Sequence, residues 1–378
     1  MMKRLSYIAA TTAVLLFTLS RLYRVCDAKI DMVRIGYISI SEQQADLSQQ
    51  RAAQCGLGGV ELMAEQAEQA GIFVGHKVEI HALPVAGDAG WQDVLLKTVR
   101  EEKLSALFFA PGTPLPDATL RLALETRGCP FFIATDQNYP TNVFGPFRVV
   151  STNHAMTEAL AGYALSQHYR CVTVLMSDEA CSKEQAEVFL QCLKDSQISS
   201  NTQLSNDQSK YLAIDGELAT EAFAVWGDQQ FLIQTIRMLR HTGYLGPILA
   251  SSNCGEPAVI NALGIASNNV VFTAQYRVPR STEEIESEVL SALTDCYVRR
   301  YGEYPTSHAL FSGYDQMLLF SKAFAIRTER PELTLQQAVS SIQNVKGMAG
   351  IFNFNNSGDG IDYPRVYTVE SGTVVPVL

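Results

Sequence analysis

The 378-residue chain is 47% hydrophobic and 18% charged, with a formal net charge of -10. That balance is globular, and at roughly 150 residues per domain the length predicts two domains. The acidic surplus, with no basic run beyond a pair such as Arg299-Arg300, argues against nucleic acid or an anionic membrane surface as a partner.

In chain order, the first segment stands apart. Lys3 and Arg4 precede an uncharged, largely apolar run from Tyr7 to Ser20. It has the length of an export-signal core and falls short of the roughly 20 residues that span a bilayer. Residues 1–28 are therefore expected to be a signal peptide cleaved after Ala28, or an N-terminal anchor; Arg21 and Arg24 keep the anchor open. Either reading places the rest of the chain in the periplasm or another extracytoplasmic space. Contact with a membrane would then come only through this segment or a membrane partner.

A strand-then-helix rhythm follows. Strands are expected at Met32–Ser39, Lys77–Pro84, Ala106–Ala110 and Pro130–Thr135, with helices at Gln50–Gly71, Trp91–Lys103 and after Pro116. A second series begins near Ser151. Its expected helices are Asn153–His168, Ser182–Ser196 and Asp228–Gly243, and its expected strands are Cys171–Ser177, Glu221–Trp226, Pro247–Ser252 and Asn269–Tyr276. Short apolar strands alternating with helices of ten or more residues predict an α/β fold with parallel sheets flanked by helices, one sheet per series. The tail adds a long apolar helix at Thr306–Ile326, an alternating stretch at Gly350–Gly360 and a hairpin at Arg365–Val377 turning at Ser371-Gly372.

No arrangement of catalytic residues emerges. The six histidines show no metal-ligand spacing, "LFSGYD" around Ser312 lacks the first glycine of a nucleophile elbow, and there is no phosphate-binding loop. "GLGG" (Gly56–Gly59) lies well after the first strand and lacks a spaced third glycine, so it reads as close helix packing rather than a dinucleotide loop. The eight cysteines form no CxxC pair, which excludes zinc-ribbon and thioredoxin sites and leaves disulfides and buried thiols both open. No catalytic residue, metal site or cofactor is expected.

What remains is the content of the loops after the strands. In open parallel sheets ligands bind beyond the carboxyl ends of the strands. Those ends read "SISE" with Ser41, "APGTP", "ATDQN", "SDEACS", "WGD", "SSNCGE" and "QYR" with Tyr276. Hydroxyls, amides, carboxylates and rings of this kind can hold a small polar ligand. The same residues also serve as turn formers and helix caps, so each one singly has a purely structural reading.

The order of motifs resembles the type I periplasmic substrate-binding proteins, in particular the branched-chain amino-acid (Leu/Ile/Val) receptors of ABC transporters. It is carried by "GHKVEI" (Gly75–Ile80), the strand ending in "APGTP", "FRVVSTNHAMTEALAGYAL", "YGEYPTSHALFSGYDQM" (Tyr301–Met317), "GMAGIFNFNNSGDG" (Gly347–Gly360) and the final hairpin. The resemblance runs from about Val33 to the C-terminus. It implies two Rossmann-like lobes joined by three crossovers acting as a hinge. Lobe I would comprise 29–150 and 277–349, and lobe II 151–276 and 350–378. It further implies a non-enzymatic solute receptor that captures a small polar ligand, an amino acid, amide or similar, between the lobes for an ABC permease. A sensory protein of the same fold is the alternative, and an α/β enzyme the remote one. Matched position by position, Thr113, Thr135 and Asp136 on the first lobe and Trp226, Asn253 and Glu256 on the second are the implied ligand residues. Pro114 stands where the family has a serine, and "SISEQQADLS" replaces the usual first loop.

Overall fold

The computed structural model describes residues 31–88, 90–194, 196, 198–204, 221–276, 288–354, 358–360 and 364–377. The expected signal or anchor, residues 1–28, lies outside them. Among the described residues no helix is long and apolar enough to cross a membrane.

The first half builds β1 (Asp31–Ile40), α1 (Leu47–Gln69), β2 (His76–Val85), α2 (Trp91–Glu101), β3 (Ala106–Phe109), α3 (Ala118–Arg127), β4 (Phe131–Ile133) and β5 (Phe147–Arg148). These strands form one parallel sheet in the order β2-β1-β3-β4-β5. Every residue of β3, "ALFF", is buried, as a strand covered by helices on both faces must be. Edge strand β2 instead alternates in burial, which is why its sequence alternates.

The chain then forms α4 (Asn153–Ser166), β6 (Cys171–Met176), α5 (Ala180–Leu193), β7 (Ser199–Leu204), β8 (Ala222–Trp226), α6 (Gln229–His241), β9 (Ile248–Ala250), α7 (Pro257–Leu263) and β10 (Val270–Ala274). After the undescribed segment 277–287 come α8 (Glu288–Tyr301), α9 (Ala309–Glu329), α10 (Leu335–Ser340), β11 (Val345–Lys346), β12 (Ile351–Phe352), β13 (Arg365–Glu370) and β14 (Thr373–Pro376). The second sheet runs β14-β13-β10-β9-β8-β6-β7, parallel from β10 to β7, with the C-terminal hairpin added antiparallel. Ser371 (φ 51°) and Gly372 (φ 80°) both lie in the left-handed region, as a two-residue hairpin turn requires.

Each sheet has apolar cores on both faces. On one face of the first, Phe108, Phe132 and Phe147 pack with α1, α9 and α10; on the other, Phe109 and Phe131 pack with α2 and α3. The expected exchange of lobes between residues 349 and 350 is placed differently. Ile351–Phe352 pairs with Val345–Lys346, and Phe352 and Phe354 are buried in the first sheet's core. The apolar alternation of "IFNF" finds its burial there, so the chain reaches the second sheet only at Arg365. Of the other two expected crossovers, the one at 150–151 falls on described residues, and the one at 276–277 runs into 277–287, outside the described residues.

The "GLGG" stretch sits where α1 crosses α9. A Cβ on Gly59 would overlap the Leu310 carbonyl, and one on Gly313 would overlap the Gly56 carbonyl. The glycines thus allow two backbones to touch, in keeping with the packing role. Seven cysteines from Cys55 to Cys296 are free thiols, four of them buried among apolar side chains.

Candidate functional site

The carboxyl ends of β3, β4, β9 and β10 face one another across a cleft of about 620 Å³. The first sheet contributes Pro111–Leu115 after β3 and Ala134–Gln137 after β4. The second contributes Ser252, Asn253, Gly255 and Glu256 after β9 and Ala274–Tyr276 at the end of β10. His308 enters just before α9. Local sequence explains these positions. Asp117 caps α3 by accepting from Leu120 N at 2.8 Å, and Thr152 caps α4 through Ala155 N at 3.1 Å. Each strand therefore runs out into a short loop that turns into its helix at the cleft wall.

Six of the eight expected ligand residues border this cleft: Thr113, Thr135, Asp136, Asn253, Glu256 and Tyr276. Their polar atoms are already partly committed. Thr113 Oγ1 donates to the Ile38 carbonyl at 3.3 Å, Asn253 Nδ2 to the Gly227 carbonyl at 3.4 Å, and Tyr276 Oη lies 3.1 Å from the Val149 carbonyl. Ser41 does not border the cleft. Its N–H donates to Val85 O and its carbonyl accepts from Gln44 and Ala45, so it shapes the turn after β1. Trp226 is also misplaced by the sequence reading. It is 1% exposed, packs edge-on against Phe189 at 5.2 Å, and belongs to the core between the second sheet and α4 and α5. Its position as the last residue of β8 turns the ring inward, with the strand's period of two deciding the side.

Sequence reasoning missed three residues that shape the cleft. His308 Nδ1 forms an ion pair with Glu256 Oε1, joining the wall of the first sheet to that of the second. Burial opposes the charge on Glu256, but the charge and hydrogen bond of His308 outweigh it and hold the carboxyl below its usual range. Burial likewise opposes the imidazolium, yet Glu256 and the nearby Asp136 raise His308 above its ordinary value. Burial raises Asp136, against its own backbone hydrogen bond and the charges of His308 and Arg148.

Gln275, 8% exposed, accepts from Ser151 N through Oε1, while its Nε2 has no partner. Arg148 is 2% exposed and lies behind the wall. It donates to the carbonyls of Thr135 (2.7 Å), Gln137 (2.8 Å) and Tyr139 (2.6 Å) and to Asp359 Oδ1 (2.8 Å). One side chain thus fixes the whole 135–139 loop. The only sequence signal for it was "FR"; nothing local shows that a strand arginine will meet three carbonyls from one loop.

A second chamber of about 510 Å³ adjoins the cleft, sharing Asp136 and Gln137 and bounded by Asn153, Cys181 and Gln185. Among the described residues no group of three or more His, Cys, Asp or Glu side chains could hold a metal ion. What this arrangement offers a ligand is hydrogen bonds, one ion pair and two walls.

Solved structures share the architecture. The leucine-binding protein LivK of Thermotoga maritima is 20% identical, with 92% of this chain and 98% of that one covered at a TM-score of 0.64. LivJ of Streptococcus pneumoniae, solved with isoleucine, is 18% identical over 92% and 100% at 0.66. A solute-binding protein of R. palustris, solved with benzoate, is 13% identical over 92% and 95% at 0.65. Identities this low establish the fold alone. No curated protein is similar to the chain in sequence. Residues 48–373 match the periplasmic binding protein family from α1 to the C-terminal hairpin, through both sheets and the cleft between them, and the chain belongs to that family.

Proposed function

We propose that the protein is an extracytoplasmic solute receptor. It captures a small polar ligand, an amino acid, amide or similar, in the cleft and presents it to an ABC permease. The observation that carries this reading is the convergence of loops from both sheets on one cleft, with Thr113, Thr135 and Asp136 facing Asn253, Glu256 and Tyr276. Capture of this kind needs no bond chemistry. The closed arrangement has only to bind ligand better than the open one.

The Glu256–His308 pair bears on the choice of ligand. A ligand with both an acidic and a basic group can replace this pair by pairing with each member, which costs less than stripping a single charge. The neighbours' ligands, leucine, isoleucine and benzoate, all carry a carboxylate, and among the described cleft-lining residues His308 is the basic side chain that could pair with one.

A thermal-shift screen of the purified protein against free amino acids, their amides and small carboxylates tests the reading. A ligand at 100 times its Kd stabilises the native state by about 2.7 kcal/mol. A rise in Tm for at least one class is expected, abolished in Glu256→Gln. No shift across all three classes would refute the ligand assignment, and turnover of any compound would refute the non-enzymatic one.

A further inference from the structure

Asp315 on α9 is fully buried and is hydrogen-bonded to the cleft-lining Tyr276. Its Oδ1 accepts from Met348 N at 2.7 Å and its Oδ2 from Ala349 N at 2.9 Å. Gly347 makes this approach possible, because a Cβ there would sit 2.6 Å from Asp315 Oδ1. Oδ2 also lies 3.1 Å from Tyr276 Oη, which in turn lies 3.1 Å from the Val149 carbonyl. Val149 follows β5 of the first sheet, Tyr276 follows β10 of the second, and Met348–Ala349 lie in the turn between β11 and β12. One carboxyl therefore links the β11–β12 turn to Tyr276 at the end of β10 and, through Tyr276, to Val149 after β5.

The hydrogens decide its state. Tyr276 Oη has one hydrogen and two oxygens in reach. With Asp315 ionised, that hydrogen serves either Asp315 or Val149. The other contact is then left as an unpaired carbonyl or as two facing oxygens, a costly arrangement in a buried site. With a proton taken from solvent onto Oδ2, Asp315 donates to Tyr276, Tyr276 donates to Val149, and every group is paired.

We infer that Asp315 is a positioning residue: in its protonated form it fixes Tyr276 in the cleft wall and ties it to the β11–β12 turn and to Val149, and its ionisation loosens these contacts. The consequence for capture rests on the solute-receptor reading above; the protonation itself does not. Burial raises the Asp315 carboxyl to about 7, against the lowering effect of the Met348 and Ala349 N–H groups and of Tyr276. Among the described residues, no cation contributes to this shift. Tyr314, beside it on α9, donates to Gln66 of α1, and His308, two turns earlier, is paired with Glu256. From β3 and β4 the carbonyls of Phe109 and Phe132 face Gln316, not Asp315. Tyr276, the one titratable side chain bonded to Asp315 among the described residues, is itself held neutral by burial and by Asp315.

Infrared spectra of the ligand-free protein test the inference directly. At about pH 6 the wild type should show a protonated-carboxyl stretch that disappears by about pH 9, is absent from Asp315→Asn, and moves in frequency in Tyr276→Phe. Melting temperature supplies a second readout. A carboxyl raised in the folded state favours folding less as pH climbs from its unfolded value to its folded one. The gap between Asp315→Asn and wild type should therefore shift by a few degrees in favour of the variant from about pH 5 to about pH 8. No carboxyl band at about pH 6 would overturn the inference, and so would parallel melting profiles. If Asp315→Asn fails to fold, the wild-type and Tyr276→Phe spectra still decide it. Neither measurement uses a ligand, so a failed ligand screen would leave this result intact.

Discussion

Replacing Arg148 by alanine should be among the most damaging single changes near the cleft. The guanidinium is 2% exposed and makes four hydrogen bonds, three to carbonyls of the 135–139 loop and one to Asp359. Removing one member of a buried ion pair costs about 3–5 kcal/mol. Asp359 is 38% exposed, so water recovers part of its charge and lowers that cost. The three carbonyls act in the other direction, because each loses a charged donor worth about 1.5–3 kcal/mol before relaxation. Loop relaxation and water reaching the freed carbonyls offset part of these losses, so a net cost of at least about 3 kcal/mol is expected, a large share of the roughly 5–15 kcal/mol that holds a domain folded. Arg148→Lys should fall between, since one ammonium cannot reproduce a planar fork aimed at four oxygens. Urea unfolding at unchanged m-value reads the loss as a shift in midpoint. A loss below about 1 kcal/mol for Arg148→Ala would show that the loop holds itself and refute the argument.

Other expectations follow from the same contacts. Gly59→Ala drives a methyl into the Leu310 carbonyl and the Tyr314 amide, so it should cost about 3 kcal/mol or more in chemical unfolding; a neutral result would mean that α1 and α9 can part freely. Thr113→Val removes the donor to the Ile38 carbonyl and should cost about 1 kcal/mol by the same assay, with a ligand-affinity change only if the hydroxyl also accepts from ligand. The Glu256–His308 pair should give the stability difference between wild type and Glu256→Gln a bell-shaped pH profile. His308 is raised, so its share is complete below its ordinary 6.5 and fades as pH rises through the folded value. Glu256 is lowered, so its share is complete above its ordinary 4.5 and fades as pH falls through the folded value. The maximum therefore lies between those two values, and a flat difference would show that the pair contributes nothing.

The sequence by itself determined the layered architecture. Continuous apolar runs such as "ALFF" and "AFAVW" can be satisfied only by strands covered on both sides, and the helices between them carry their own caps at Asp46, Asp117, Thr152 and Asp228. The glycines of "GLGG" likewise announced a close crossing, because absence of a side chain is visible without knowing the partner. Short elements escaped: β5 and β11 have two residues each, too few for any periodicity. Tertiary structure alone decided which polar residues do what. Whether Trp226 faces the cleft or the core depends on the pleat of β8 and on Phe189 beyond it. The pairing of His308 with Glu256 depends on two sheets meeting, across 52 residues of chain. Arg148 and Asp315 are defined by carbonyls and N–H groups of distant segments, and backbone groups carry no sequence signal. Local chemistry writes strands, helices and turns into neighbouring residues, whereas a cleft between two sheets is made of contacts between residues that the sequence keeps apart.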